Sequence, residues 1–457
     1  MKTKIILSII LVVSIFIRFY NFNAWFGFDY DQEVNAWLAK TVVIDHKPIL
    51  IGPETSVGGM YVGPYFNYIL ASFYALGKMD PVTTIYLNVL LSVSTILLMY
   101  YVGKKVFNEQ TGIIAAIIYG FSYNLTNFDR VSWNPTPIPL VSLGIIFTIY
   151  LYLTQWKYWQ LAMSLFLTGF MFHLHFTALF ITMFLAISLA VFGGRKFFRS
   201  ISNYFLIFGM TIFFFAPIIF FDLRHDFLIT HHFVSFLLFT GSNAPISRNI
   251  FWIFVTFVRS IFYNDTNSPL DLVALALLVG IIYHSTQVQK SQRLFFILGF
   301  VLFTIPILTL SLYRGPLPAH YLLFTLPIVV ILVASYLGSV FQNKVGKFIV
   351  VVGLGLFLFY NIPATISTQS GLALQYKKQV ASYVISDAKG KSFKVDFISE
   401  PGRKTGFSYL FWLSGKPLLE DMTVKTDKIY KVVVPYFLVP EADLSARFGG
   451  IGIIKVQ

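Results

Sequence analysis

Cysteine is absent from this 457-residue chain, which excludes disulfides, thiolate metal sites and cysteine nucleophiles together. Charge is nearly as scarce: charged residues make up 12 % of the chain against 56 % hydrophobic ones. That is the composition of a polytopic membrane protein. Acid is the scarcer sign, with 20 Asp and Glu against 34 Lys and Arg. No Gly-rich phosphate loop, nucleotide fingerprint or nucleic-acid motif accompanies the net charge of +14, so an inward-facing ATPase and a nucleic-acid partner are both disfavoured. No internal repeat is visible either, which argues against a secondary transporter.

What the chain has is apolar runs of spanning length. They lie near residues 5–20, 82–102, 111–128, 135–154, 158–174, 176–193, 202–221, 269–286, 294–312, 320–338 and 346–364. The expected fold is therefore all-α and polytopic, with about 11 transmembrane helices of roughly 20 residues each. The first run follows Met1-Lys2-Thr3-Lys4 and continues into Ile17-Arg18-Phe19 with no small-residue cleavage site, so it reads as an uncleaved span. With the amino terminus inside and the carboxyl terminus outside, the inner loops collect Lys104, Lys105, Lys157, Arg195, Lys196, Arg199, Lys290, Arg293, Lys344 and Lys347. Glu109 is the one inner acid among those before residue 366. This is the positive-inside pattern, and it accounts for much of the net charge. An integral plasma-membrane protein with its chemistry on the outer face is expected.

Two shorter apolar stretches, Val62–Leu76 and Asn249–Phe262, read as helices lying in the outer interface, where aromatic and Arg side chains are accommodated. They sit in two long outer loops, residues 21–81 and 222–268, and long loops with helices of their own tend to carry function. From about residue 367 the composition shifts. A helix is predicted over Leu374–Ala388, with alternating runs at Phe393–Ile398 and Ile429–Pro435. The expected organisation is a membrane domain over 1–366 and a small outer α/β domain over 367–457.

Asp29, Asp31 and Glu33 cluster directly after the first span. Acids beside a membrane are costly unless they work or face water. One of them can serve as general base toward an acceptor hydroxyl; the bland alternative is a solvated, topology-setting loop. An extended backbone would project all three to one side, whereas a helix would spread them. Tyr61 and Tyr65 follow a Gly/Pro-rich lead-in at Gly52-Pro53 and offer aromatic faces suited to sugars, although an ordinary aromatic belt looks the same. In the next outer turn, Asp129 is a candidate for a cation or an acceptor, Arg130 for a phosphate and Trp133 for stacking, with Asn134-Pro135 opening the following helix. An exposed cap and ion pair is the plain alternative. His173 and His175 are two apart and do not share a helix face, which disfavours a bidentate zinc site. Arg314, His320 and Tyr321 link two later spans, where the fork of an Arg side chain suits a phosphate or simply anchors a lipid headgroup.

Taken in order, these pieces resemble the GT-C superfamily of polytopic glycosyltransferases, nearest to the branch of protein O-mannosyltransferases and lipid A aminoarabinose transferases. The matching features are Asp31-Gln32-Glu33 after span one, the lead-in Gly63-Pro64-Tyr65-Phe66-Asn67-Tyr68, and the Asp129/Arg130 turn. They continue with the His-rich end of the fifth span and the run from Ala319-His320-Tyr321 to Pro327. Two departures are plain. Asn134 stands where the family's turn carries a later acid, and the first His-Pro of the lead-in is missing. The resemblance implies a polyprenyl-phosphate sugar donor, an acceptor (protein, lipid or glycan) arriving from the outer side, and inversion at the anomeric centre. It also implies Asp31 as base with Glu33 as helper, and Arg314 and His320 neutralising the leaving phosphate. It admits a divalent cation, for which the sequence offers no unambiguous ligand set. The rival reading from another class is a flippase of lipid-linked glycans, which would need polar residues deep within several spans.

Overall fold

The apolar runs become helices because a backbone in lipid must satisfy its polar groups within its own segment. The computed structural model describes residues 2–55, 58–239, 270–311, 319–400, 403–419 and 426–456. The first span is α1 (Lys2–Phe19), followed by the single turn α2 (Phe22–Trp25), then α3 (Tyr30–Val43) and α4 (Tyr65–Leu76) in the first long loop. The bundle continues through α5 (Thr84–Val106), α6 (Glu109–Phe121), α7 (Tyr123–Arg130), α8 (Ile138–Gln155), α9 (Tyr158–Met171), α10 (Ala178–Ser188), α11 (Gly194–Phe198) and α12 (Ile201–Arg224). After α13 (Leu228–Phe239) come α14 (Leu270–Gln287), α15 (Lys290–Ser311), α16 (Leu326–Val340) and α17 (Lys344–Ile366). Each predicted span thus carries helix. The predicted interface helix over Asn249–Phe262 lies outside the described residues.

Among the described residues, six helices are long and apolar enough to cross a membrane, and Ile201–Arg224 is the most apolar, with only 6 % of its spanning window covered by protein. Apolar surface left open on that scale requires lipid. The chain is an integral multi-pass membrane protein. Two boundaries differ from expectation. The run at 111–128 breaks at Ser122, whose hydroxyl accepts the Leu125 N–H and caps α7. The run from residue 320 becomes helical only at Leu326, because Pro327 fits a first helical turn and His320 belongs to a short 3₁₀ turn before it.

Among the described residues, the bundle holds one ion pair buried on both sides. Arg18, near the end of α1, donates to Asp129 of α7 at 2.6 Å, and also to Ser14 Oγ and the Gly120 carbonyl. Asp129 in turn accepts from Ser92 at 2.6 Å and from Tyr119 at 3.0 Å. Both charges are almost fully buried, so their neighbours must supply what water does not.

The C-terminal unit follows as α18 (Leu374–Ala388), β1 (Phe393–Ser399), α19 (Phe407–Leu413), β2 (Lys428–Val434), β3 (Ala446–Phe448) and β4 (Ile451–Lys455). Its sheet has the order β1-β2-β4-β3, parallel between β1 and β2 and antiparallel elsewhere. The parallel pair needs a crossover, which α19 provides. This unit is bonded to the first long loop. Backbone N–H groups of Ser370 and Leu374 donate to the carbonyls of Ala24 and Phe26, and Lys378 pairs with Asp80 at 2.6 Å.

Removing one member of the buried pair, by Arg18→Met or Asp129→Asn, is expected to destabilise the fold by about 3–5 kcal/mol, since it strands the other group. Replacing both by apolar residues should recover most of that loss. Thermal unfolding in detergent, run as a double-mutant cycle, measures both effects.

Candidate active site

The acid cluster is helical, not extended. Gln32 accepts the Asp29 N–H at 2.9 Å, and α3 begins at Tyr30. Successive residues are then about 100° apart around the axis, so the three acids separate. Asp29 receives the ammonium of Lys377 on α18 at 2.7 Å. Glu33 accepts from the backbone N–H of Gly406 at 2.6 Å, the Ser408 hydroxyl at 2.7 Å and the Tyr409 N–H at 2.9 Å, closing the start of α19. Glu33, expected as a catalytic helper, and Asp29, expected as a substrate ligand, thus both bond the C-terminal unit, Asp29 with about half of its side chain still exposed.

Asp31 alone of the three has no hydrogen-bond partner among the described residues, and it opens onto a cavity of about 160 Å³. From the loop before α4 come Pro53, Glu54, Thr55 and Val62; from the turn after α7, Trp133, Asn134 and Pro135. Leu174 and His175 come from the turn between α9 and α10, and His320 from the 3₁₀ turn before α16. Asp31 is solvent-exposed at this cavity, with protein packed around part of its side chain. That partial burial raises its pKa above 3.8, and the charge of Asp29 raises it further.

The histidine corner is aromatic. The His320 ring lies 4.9 Å from Trp133 and 5.4 Å from His175, and Tyr321 packs against His175 at 5.2 Å. Thr177 N–H donates to His175 Nδ1 at 3.3 Å, which places the imidazole proton on Nε2. Burial, and secondarily His320, pushes the His175 pKa down to about 3, so the ring is a neutral donor at physiological pH. The indole N–H of Trp133 is buried without an acceptor among the described residues. Such an orphaned donor at a cavity wall is available to a ligand.

Several sequence-predicted residues face elsewhere. Asp129 lies in the buried ion pair, and Arg130 donates to the carbonyls of Ile17 and Thr365 while stacking over Trp25, so neither meets the cavity. His173 accepts the Tyr65 N–H at Nδ1 and uses Nε2 on the Phe214 carbonyl, with Tyr65 stacked flat on it at 4.2 Å. A Cβ at Gly63 would lie 2.0 Å from His173 Nδ1, so glycine is required there. Tyr61 stands opposite Glu54 across a single β-bridge and packs on Phe221 beside the cavity lining. Arg314 lies outside the described residues. Glu54 was missed although it falls in the Gly/Pro lead-in; it accepts the Gly59 N–H. Among the described residues, no group of three or more His, Asp and Glu side chains could hold a metal ion. A larger groove of about 530 Å³ beside Tyr283 and Tyr336 is open and mostly apolar.

Residues 61–221 match the family model for dolichyl-phosphate-mannose-protein mannosyltransferase. No curated protein sequence matches significantly. Among solved structures, ArnT from Cupriavidus metallidurans bound to undecaprenyl phosphate superposes with a TM-score of 0.64 at 9 % identity, covering 99 % of this chain and 97 % of that one. The chain has the GT-C glycosyltransferase fold. The same GT-C fold relates it to the oligosaccharyltransferase AglB from Archaeoglobus fulgidus in complex with an inhibitory peptide and a dolichol-phosphate. There the TM-score is 0.52 at 12 % identity, over 92 % of this chain and 60 % of that one. The family match takes in Trp133, Asn134 and His175 but stops short of Asp31 and Glu54.

Water-soluble carbodiimide couples to protonated carboxyl groups. Asp31 is therefore expected to be labelled up to a higher pH in the folded protein than in the same segment under denaturant, because its raised pKa keeps it protonated longer as pH increases. Peptide mass spectrometry across a pH series reads the midpoint, and coincident midpoints would count against the perturbed site.

Proposed function

We propose that this chain transfers a sugar from a polyprenyl-phosphate donor to a hydroxyl-bearing acceptor, with inversion at the anomeric carbon. The observation that carries this reading is the unpartnered Asp31 carboxylate on a cavity walled by His175, His320 and Trp133. The acceptor oxygen attacks the anomeric carbon, its proton passes to Asp31, and the bond to the lipid phosphate breaks on the opposite face. The neutral His175 Nε2–H and the Trp133 indole N–H are donors available to the phosphate or the sugar, and donors fixed where charge develops are worth most in the transition state. Arg314 is the proposed cation for the phosphate. The lipid-phosphate donor is supported by the undecaprenyl phosphate bound to ArnT and the dolichol-phosphate bound to AglB.

The sidedness follows from the charges. With the amino terminus inside and eleven spans, the cavity loops face the outer surface of the plasma membrane and the unit over 367–457 sits beside them. Hexosyl and pentosyl donors both fit this scheme. The flippase alternative gains nothing from the buried charges Arg18 and Asp129, which satisfy each other inside the bundle.

In native membranes supplied with mannosyl-phospho-undecaprenol, Asp31→Asn is expected to lower transfer to endogenous acceptors by about 10²–10⁴-fold, the usual worth of a general base. Insertion and yield should match the unmutated protein. Full activity in that variant would remove Asp31 as the base. In the unmutated protein the activity should fall on the acid side through the raised Asp31 pKa, since only the ionised carboxylate accepts the proton.

A further inference from the structure

The C-terminal unit reaches α3 on both sides of Asp31. Lys377 has no solvent exposure, and its ammonium donates to Asp29 Oδ1 at 2.7 Å and to the carbonyls of Phe28 at 2.6 Å and Thr405 at 3.0 Å. An ammonium has three protons, and all three are used. Two residues beyond Asp31, Glu33 holds the start of α19. Gly406, between these anchors, has φ +92°, and a Cβ there would lie 2.3 Å from the Phe28 carbonyl and 3.1 Å from the Lys377 ammonium. The contact is therefore closed against any larger residue.

We propose that Lys377 is a positioning residue for the transfer reaction: with Glu33 as its second anchor, it clamps the first turn of α3 so that Asp31 is held over the cavity. The inference rests on the reading of Asp31 as base. A buried Lys is not needed merely to attach the unit, since Lys378–Asp80 and the backbone bonds from Ser370 and Leu374 already do so. What Lys377 adds is a fixed charge with two bonds to the residues leading into α3, Phe28 and Asp29, and a third to Thr405 of its own unit. The Asp29 side chain remains 53 % exposed, so the pair is anchored from the lysine side. The titratable groups facing Asp31 are Asp29 on its own helix, Glu54 on the preceding loop, and His175 and His320 on the two turns. Lys377 adjusts this set through Asp29, whose negative charge it offsets.

The test compares Lys377→Met, Lys377→Arg and Asp29→Asn/Lys377→Met in the full-length protein, with Glu33→Gln as a milder probe of the second anchor. With mannosyl-phospho-undecaprenol as donor, Lys377→Met is expected to lower kcat about tenfold to a hundredfold with KM for the donor little changed, the signature of lost orientation. The midpoint for carbodiimide labelling of Asp31 should move to higher pH, because the Asp29 charge then acts unopposed, and the double variant should bring it back. Lys377→Arg, which keeps the charge, should retain most of the activity. Should Lys377→Met fail to fold, the same kcat loss in Glu33→Gln carries the test. A wild-type kcat and an unmoved Asp31 midpoint in folded Lys377→Met would overturn the clamp. So would a loss of activity that only tracks the amount of folded protein. Asp31→Asn run in parallel separates the two readings: full activity there removes the base, whereas an inactive Asp31→Asn beside a wild-type Lys377→Met removes only the clamp.

Discussion

Lys377 is a charge with no access to water, and such a group persists only where its neighbours replace hydration almost completely. Its surroundings do so with one carboxylate and two carbonyls drawn from both ends of the chain. The start of α3, the start of α19 and the face of α18 consequently share one set of polar contacts. Shifting any of the three exposes unpaired groups on the others. The cavity inherits its floor from this arrangement, since Asp31 occupies the turn of α3 that the contacts hold.

The other cavity walls come from turns far apart in sequence, and they too are fixed through side chains that do no chemistry. His173 uses both ring nitrogens on backbone groups and stacks on Tyr65, while Gly63 passes directly beneath it. The loop carrying Glu54 and the turn carrying His175 are joined at that point. Deeper in the bundle, Arg18 and Asp129 tie α1 to α7, the helix that leads into Trp133 and Asn134. Residues that touch the cavity and residues that aim them thus alternate along the chain: Asp29, Asp31 and Glu33 in one stretch, and Asp129, Arg130, Trp133 and Asn134 in another.

That alternation marks how far the sequence could be read. The apolar runs were legible because spanning a bilayer imposes a length and a composition, and Leu374–Ala388 was legible because its apolar positions recur at helical spacing. The acid cluster stood out by rarity. Its division was hidden, because extended and helical backbones give opposite arrangements and the choice depends on Gln32 accepting the Asp29 N–H. The placement of Arg130 was hidden for a related reason: composition puts it in a turn, but the direction in which α7 ends sends its side chain back into the bundle. Lys377 carried no local signal at all, as its partner Asp29 lies 348 positions earlier. The short strands after residue 446 were also missed, being three and five residues long and separated by glycines.

The separation between Asp29 and Lys377 also sets an order of events during synthesis. The first span and α3 leave the ribosome long before α18 exists, so the acids at the membrane surface begin life solvated and unpaired. The bundle can insert and pack while that loop is still without its final contacts. Only when the last fifth of the chain has been made can Lys377 meet Asp29 and Glu33 receive the start of α19. The site is therefore the last part of the molecule to mature, and a polypeptide that stalls after α17 would be fully inserted yet would lack the contacts that hold its first loop in place.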